Sequence, residues 1–210
     1  MRFDPAGWPF IGGTFALALI AAFTFSVTLG VALLVLAAFF LFFFRDPERP
    51  ITQSPSSVLS PADGRVMVAG ASTSQGFRPD QWRQVSVFLS PMDVHVNRMP
   101  ISGQVTKVRY HPGQFLPAYR AQAGDLNEYT EVWLDHDGQT VVVRQIVGIL
   151  ARRIVCRIQE GAAVNAGDRF GVMKFGSRMD IFLPASASIR VTVGDRVVGG
   201  VTVIAELAKS

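Results

Sequence analysis

From Trp8 to Phe44 the chain runs 37 residues without a charge. As one continuous helix that run would span roughly 56 Å, nearly twice a hydrocarbon core of about 30 Å. Two short legs are therefore expected, turning near Ser26-Val27-Thr28-Leu29-Gly30, where hydroxyl, β-branched and glycine residues cluster. The run is also far longer than a signal-peptide core of about 7–15 residues. An uncleaved anchor over 1–44 is the expectation. Past Arg45 the pattern changes: four prolines between Pro47 and Pro61, with serines among them, mark 45–61 as a linker. From 62 to 210 the apolar positions fall into short, alternating, β-branched runs such as "RVMVAG", "QVSVFLS", "GQVTKVRY", "YTEVWLD", "TVVVRQIVGI" and "VTVIAEL". A period of two predicts strands, and Asp137-Gly138 predicts a tight hairpin. The fold class that follows is mainly β, a sandwich- or barrel-like hybrid domain behind an N-terminal hydrophobic helical hairpin.

Composition adds little to that outline, because the mean hydropathy of +0.30 is raised by the N-terminal run. Charge adds more. Arg2 precedes the run and Arg45 and Arg49 follow it, so with two legs both flanks are expected on the cytoplasmic side of the cell membrane. Arg2 and Asp4 cancel, which leaves the net +4 to the β-rich part, a balance suited to anionic lipid heads. No basic run interleaved with aromatics is present, so nucleic acid is not an expected partner. Cys156 is the only cysteine and reads as a core thiol. Three scattered histidines beside it give no metal-ligand spacing, and no metal is expected.

Candidate chemistry is sparse. His136 sits at the tip of the "LDHDG" hairpin and reads as a solvated turn residue; His111, before Pro112-Gly113, reads as loop. His95 differs, since alternation in "LSPMDVHVNRMP" places Asp93, His95 and Asn97 on one face of a strand. Asp63 in "SPADG" begins as an ordinary turn. "VNAGDRFG" and "VTVGDRVVGG" share V-x-x-G-D-R, a repeated turn device. "GQFLPAY" (113–119) is an aromatic loop that suits either a bilayer surface or the core. Gly176-Ser177 is the pair with a chemical option: a serine after glycine can attack the preceding carbonyl when a strained turn exposes it and a base takes the proton.

Taken together, "FGSRMDIFLP", "SPADG", "LSPMDVHVNRMP" and "QIVGILARRI" resemble the phosphatidylserine decarboxylase proenzymes in their short, membrane-anchored form, over nearly the whole chain. The resemblance implies self-cleavage between Gly176 and Ser177 into a β chain, 1–176, and an α chain, 177–210, held as a heterodimer with which a higher oligomer is compatible. It implies a covalent pyruvoyl group made from Ser177 as the cofactor, an electron sink for decarboxylating phosphatidylserine in the membrane to phosphatidylethanolamine. Asp63 and Ser177 match the family's processing constellation; its histidine is the second of two in longer members, so either His95 takes both duties or Arg98 marks a different division of labour, and His95 is the natural proton donor in decarboxylation. Longer members carry a second histidine three residues on, where this chain has Arg98. Arg98, Lys174 and Arg178 are candidates for the lipid phosphate by proximity alone. Two other readings compete. Lys174 after Met173 has the rhythm of a biotinyl or lipoyl carrier, and Gly176-Ser177 as a plain turn would leave a scaffold domain without catalysis.

Overall fold

A computed structural model describes residues 2–51, 54–149, 153–174 and 176–208. Residues 150–152 of the "QIVGILARRI" motif and Phe175 lie outside them. The chain divides into two compact units, Met1–Glu48 and Arg49–Ser210.

In the N-terminal unit, β1 (Arg2–Phe3) pairs antiparallel with β2 (Arg45–Asp46), closing the base of a hairpin of α1 (Trp8–Thr24) and α2 (Val27–Phe43). The break falls at Phe25-Ser26, at the leading edge of the cluster that marked it: Ser26 is extended, with φ −161° and ψ 134°, and holds the N-cap position of α2. Gly30 is helical and serves close packing, since a Cβ there would stand 2.6 Å from that of Ala22. The helical run Pro5–Thr24, with mean hydropathy 1.6, is long and apolar enough to cross a membrane, and Val27–Phe43 is shorter.

The second unit is built from antiparallel strands. In order they are β3 (Ser57–Leu59), β4 (Gly64–Ala71), β5 (Trp82–Leu89), β6 (Val96–Arg98) and β7 (Gly103–His111). After a single turn of helix, α3 (Ala123–Leu126), come β8 (Tyr129–His136), β9 (Gln139–Ile146), β10 (Ile154–Cys156), β11 (Ala163–Val164) and β12 (Arg169–Met173). The chain closes with β13 (Ser177–Pro184), β14 (Ser188–Ile189), β15 (Arg196–Val197) and β16 (Val203–Glu206). Eight of them form one sheet in the order β11-β7-β8-β9-β13-β5-β4-β15, flanked by two three-stranded sheets, β10-β12-β6 and β14-β16-β3. The stretch expected as linker thus contributes β2 to one unit and β3 to the other.

Alternation divides β13 between two environments. Met179, Ile181 and Leu183 join Val85, Val87, Leu89, Val132, Leu134, Val141 and Val143 in the main core. Phe182 turns to the other face, stacking on Phe77 at 3.8 Å beside Trp82 and Trp133. The predicted Asp137-Gly138 hairpin is present, with φ of 50° and 81° at those two residues. The repeated V-x-x-G-D-R segments make the same turn: Asp168 accepts from the Asn165 N–H and Asp195 from the Thr192 N–H, each at 2.8 Å, around Gly167 and Gly194 with positive φ.

Candidate active site

Ser177 opens β13, paired with Leu89 of β5, while the ladder to β9 begins one residue later at Arg178 and Ile146. The scissile candidate therefore lies where free chain becomes the middle of a sheet. Gly176 has φ +74°, a conformation that glycine adopts without strain and that other residues rarely hold. Ser177 is fully buried, and its Oγ has no hydrogen-bond partner among the described residues. A buried hydroxyl left unpaired costs about 1–3 kcal/mol, which makes it an exception in need of a reason.

His95 supplies the neighbouring base. After Leu89, which ends β5, the motif is strand again only at Val96–Arg98; His95 sits just before it, almost completely buried. Its Nδ1 lies 2.9 Å from the Asp93 carbonyl oxygen and its Nε2 3.4 Å from the Gly176 amide nitrogen. A carbonyl accepts and an amide donates, so Nδ1 carries the proton and the Nε2 lone pair faces the turn that holds the Gly176–Ser177 bond. Asp93 is itself fixed by the Ser90 N–H and hydroxyl, at 2.8 and 2.7 Å. Deeper on the core side, Gln145 Nε2 donates to Asn97 Oδ1 at 2.8 Å, leaving Asn97 Nδ2 and Gln145 Oε1 unsatisfied and buried.

Gly148 went unremarked in the sequence as a site residue. A Cβ built on it would press into the Gly176 carbonyl oxygen, well inside contact, and stand 3.3 Å from that carbonyl carbon and 3.5 Å from Ala118 Cβ. The bare backbone of residue 148 is what lets the Gly176 carbonyl sit where it does.

No hydrogen bond joins Asp63 to the Ser177 hydroxyl among the described residues. Its carboxylate takes a two-pronged bridge from Arg49, at 2.6 and 2.8 Å, and the Gly199 N–H at 2.8 Å. By register it lies across β5 from Ser177, two strand spacings or roughly 10 Å away. Arg49 also donates to the Gly199 carbonyl. The sequence marks it only as a flanking charge, and nothing local names it the partner of Asp63.

The proposed phosphate cations fare differently from expectation. Arg178 projects to the face opposite Ser177, where Asp180 grips it through two hydrogen bonds of 2.6 and 3.0 Å and Ser86 accepts at 3.1 Å. Arg98 is buried against the Gly167 carbonyl at 3.2 Å, its backbone N–H donating to Pro61. Neither guanidinium faces open solvent. Lys174 is half-buried on the approach to Gly176, not at an exposed hairpin tip such as a carrier lysine requires. His136, expected in solvent, donates from Nδ1 to the Ser102 carbonyl at 2.8 Å. His111 stacks on Tyr129. Cys156 is half-buried, and burial pushes its thiol pKa up. No group of metal-binding side chains occurs among the described residues.

The family model for phosphatidylserine decarboxylase matches residues 36–205. A phosphatidylserine decarboxylase proenzyme of Symbiobacterium thermophilum is 46% identical over 202 residues, covering 96% of this chain and 94% of that protein. One from Granulibacter bethesdensis is 46% identical over 211 residues, covering 97% and 84%, and one from Gluconacetobacter diazotrophicus 48% identical over 185, covering 85% and 81%.

Proposed function

The chain belongs to the phosphatidylserine decarboxylase family and is an enzyme of that activity, and from that premise we propose that it matures by cutting itself between Gly176 and Ser177, leaving a pyruvoyl group at residue 177. The carrier and scaffold readings give way to catalysis. The observation that carries the proposal is the juxtaposition at the turn: an unpaired, buried Ser177 hydroxyl, a positive-φ Gly176 and the His95 lone pair.

The chemistry runs through this chain's own atoms. Ser177 Oγ attacks the Gly176 carbonyl carbon while His95 removes the hydroxyl proton; the C–N bond breaks, the amine takes a proton, and an ester joins Gly176 to the serine oxygen. Loss of the residue-177 α-proton then expels Gly176 as a carboxylate. The dehydroalanine that remains takes up water and releases ammonia, leaving a ketone at the new N-terminus. Oxidation state is conserved, so no external oxidant is needed. The site fits the group it would make: Gly176 has open space on its Cβ side, and Asn97 and Gln145 hold buried polar capacity on the same side of the sheet. In the mature enzyme the pyruvoyl ketone would supply the electron sink that pyridoxal supplies elsewhere. His95 would then return a proton to the substrate α-carbon, a contribution typically worth about 10²–10⁴-fold.

The reading extends to assembly and place. The α chain would keep β13 between β9 and β5, so 1–176 and 177–210 stay together as a heterodimer. The N-terminal unit would anchor the enzyme in the cell membrane with both flanks cytoplasmic, from the arginines on either side of the apolar run. Asp63, locked to Arg49, would act in processing through the fold around Gly199 rather than by touching Ser177.

Intact mass of the purified protein beside a Ser177→Ala control tests the proposal. Two chains, the smaller lighter by one ammonia than a chain beginning at Ser177, and one uncut chain in the control, are expected. A folded, uncut wild-type chain that still decarboxylates phosphatidylserine would refute it.

A further inference from the structure

The loop from Pro112 to Gln122 has little regular structure yet is firmly placed. Asn127, almost fully buried, accepts from the Leu116 N–H at 2.9 Å and donates to the Leu116 and Val147 carbonyls at 2.8 and 2.9 Å. One side chain thus ties the loop to the residue before Gly148. Ala118 packs on Gly148, directly behind the scissile carbonyl. Tyr119 meets Phe88 edge-on at 6.0 Å, and Phe88 is the register partner of Arg178.

A loop this well fixed would be expected to bury its large apolar groups, and it does not. Phe115 is 40% exposed and Tyr119 60%. Ile149, next after Gly148, is 54% exposed, and Met92, in the turn leading to His95, is 62%. Single exposed apolar residues are ordinary. Here three separate segments present them, each adjoining a residue that lies against Gly176 or Gly148: Ala118, Gly148 itself and His95; exposed apolar groups gathered in a rim of this kind mark a partner surface. Arg120, exposed beside Tyr119, adds positive charge at its edge, while Arg196, also exposed, is paired with Asp93 at 3.5 Å. Aromatic rings with adjacent arginines are the composition of a membrane-interface belt.

We propose that this rim is the surface through which the catalytic unit meets an anionic lipid bilayer. Phe115 and Tyr119 enter the interfacial layer, and a lipid headgroup reaches the Gly176–Ser177 turn at the end of the sheet without its acyl chains leaving the membrane. The inference rests on the site proposed above, and concerns how the lipid arrives there.

The test uses the full chain reconstituted in phosphatidylserine-containing vesicles, wild type against Phe115→Asp/Tyr119→Asp. Three quantities are read: chain cleavage by intact mass, decarboxylation of a short-chain phosphatidylserine kept monomeric in water, and decarboxylation of long-chain phosphatidylserine in the vesicles. Cleavage and short-chain turnover should match wild type, while vesicle turnover falls by about tenfold or more, chiefly as a higher apparent KM. Vesicle turnover within twofold of wild type would overturn the inference. Failure of the wild type to cleave would instead count against the site. Should the double variant lose cleavage, a milder probe decides: Phe115→Cys in a Cys156→Ser background, carrying a small environment-sensitive fluorophore. Quenching by spin-labelled lipid supports the rim as a membrane surface; quenching only by aqueous iodide, or a spectral shift that follows protein concentration without lipid (a second copy as the occupant), overturns it.

Discussion

Gly148→Ala is a one-carbon change at a residue with no reacting atom. The new methyl would overlap the Gly176 carbonyl oxygen and meet Ala118 Cβ at 3.5 Å, so it has no free direction on that side. Restoring an ordinary contact of about 3.4 Å requires the carbonyl or the residue-148 backbone to move by about 1 Å, and a 1 Å misplacement in an oriented intramolecular reaction costs on the order of 10²-fold. Residue 148 lies two residues beyond the end of β9, and Gly176 is not yet locked to that strand, so the carbonyl is the part that yields. The expected result is an intact proenzyme that accumulates after synthesis and cleaves about 10²-fold more slowly than wild type. The assay is a time course of chain cleavage after cell-free synthesis, read by gel and intact mass. Thermal unfolding in a Ser177→Ala background, with and without the added methyl, separates slow chemistry from a lost fold. Cleavage at the wild-type rate in a stably folded Gly148→Ala chain would refute the argument that this close approach sets the reacting geometry.

Other expectations are shorter. His95→Ala should slow cleavage by about 10²–10⁴-fold with the proenzyme still folded, measured by the same time course; near-normal cleavage would remove His95 from processing. Arg49→Met should destabilise the uncleaved Ser177→Ala chain by about 1.5–3 kcal/mol, since a two-pronged, mostly buried charged pair is lost, and Arg49→Lys should recover only part because lysine cannot bridge both oxygens. Urea unfolding followed by fluorescence reads both, and a change below about 0.5 kcal/mol would mean that Asp63 is held by Gly199 alone. Cys156 should alkylate much more slowly at pH 8 in the folded protein than in urea, because its raised pKa keeps the thiol protonated; mass spectrometry of the alkylated chain reports the ratio.

The pattern of apolar and polar positions carried much of the fold. A charge-free run too long for one crossing had to break, and it breaks at Phe25-Ser26; Asp137-Gly138 had to turn, and it does. Ser177 was legible because glycine-serine before an alternating strand is a chemical statement as well as a conformational one. Arg178 was legible too, had alternation been applied to "SRMDIFLP": period two sends it to the side away from Ser177, where Asp180 waits. Gly148 and Arg49 were not legible. The value of Gly148 is set by a carbonyl 28 residues later, and that of Arg49 by a carboxylate and a backbone amide drawn from far along the chain. Local sequence holds no record of such distances.

β13 has neighbours on both sides along most of its length, and Ser177 is its first residue. A cut there severs connectivity while leaving every ladder partner in place, so the chain must complete its hardest long-range assembly before the cut can occur. The two pieces that the proposed cut leaves would inherit a structure assembled by the intact chain. Unfolding of the mature enzyme would thus be a one-way event: the short piece must rediscover its slot between β9 and β5 by bimolecular encounter, against dilution and aggregation. Durability after maturation then becomes a question of unfolding rate rather than of equilibrium, and the uncut precursor is the only form from which a refolding free energy can be obtained.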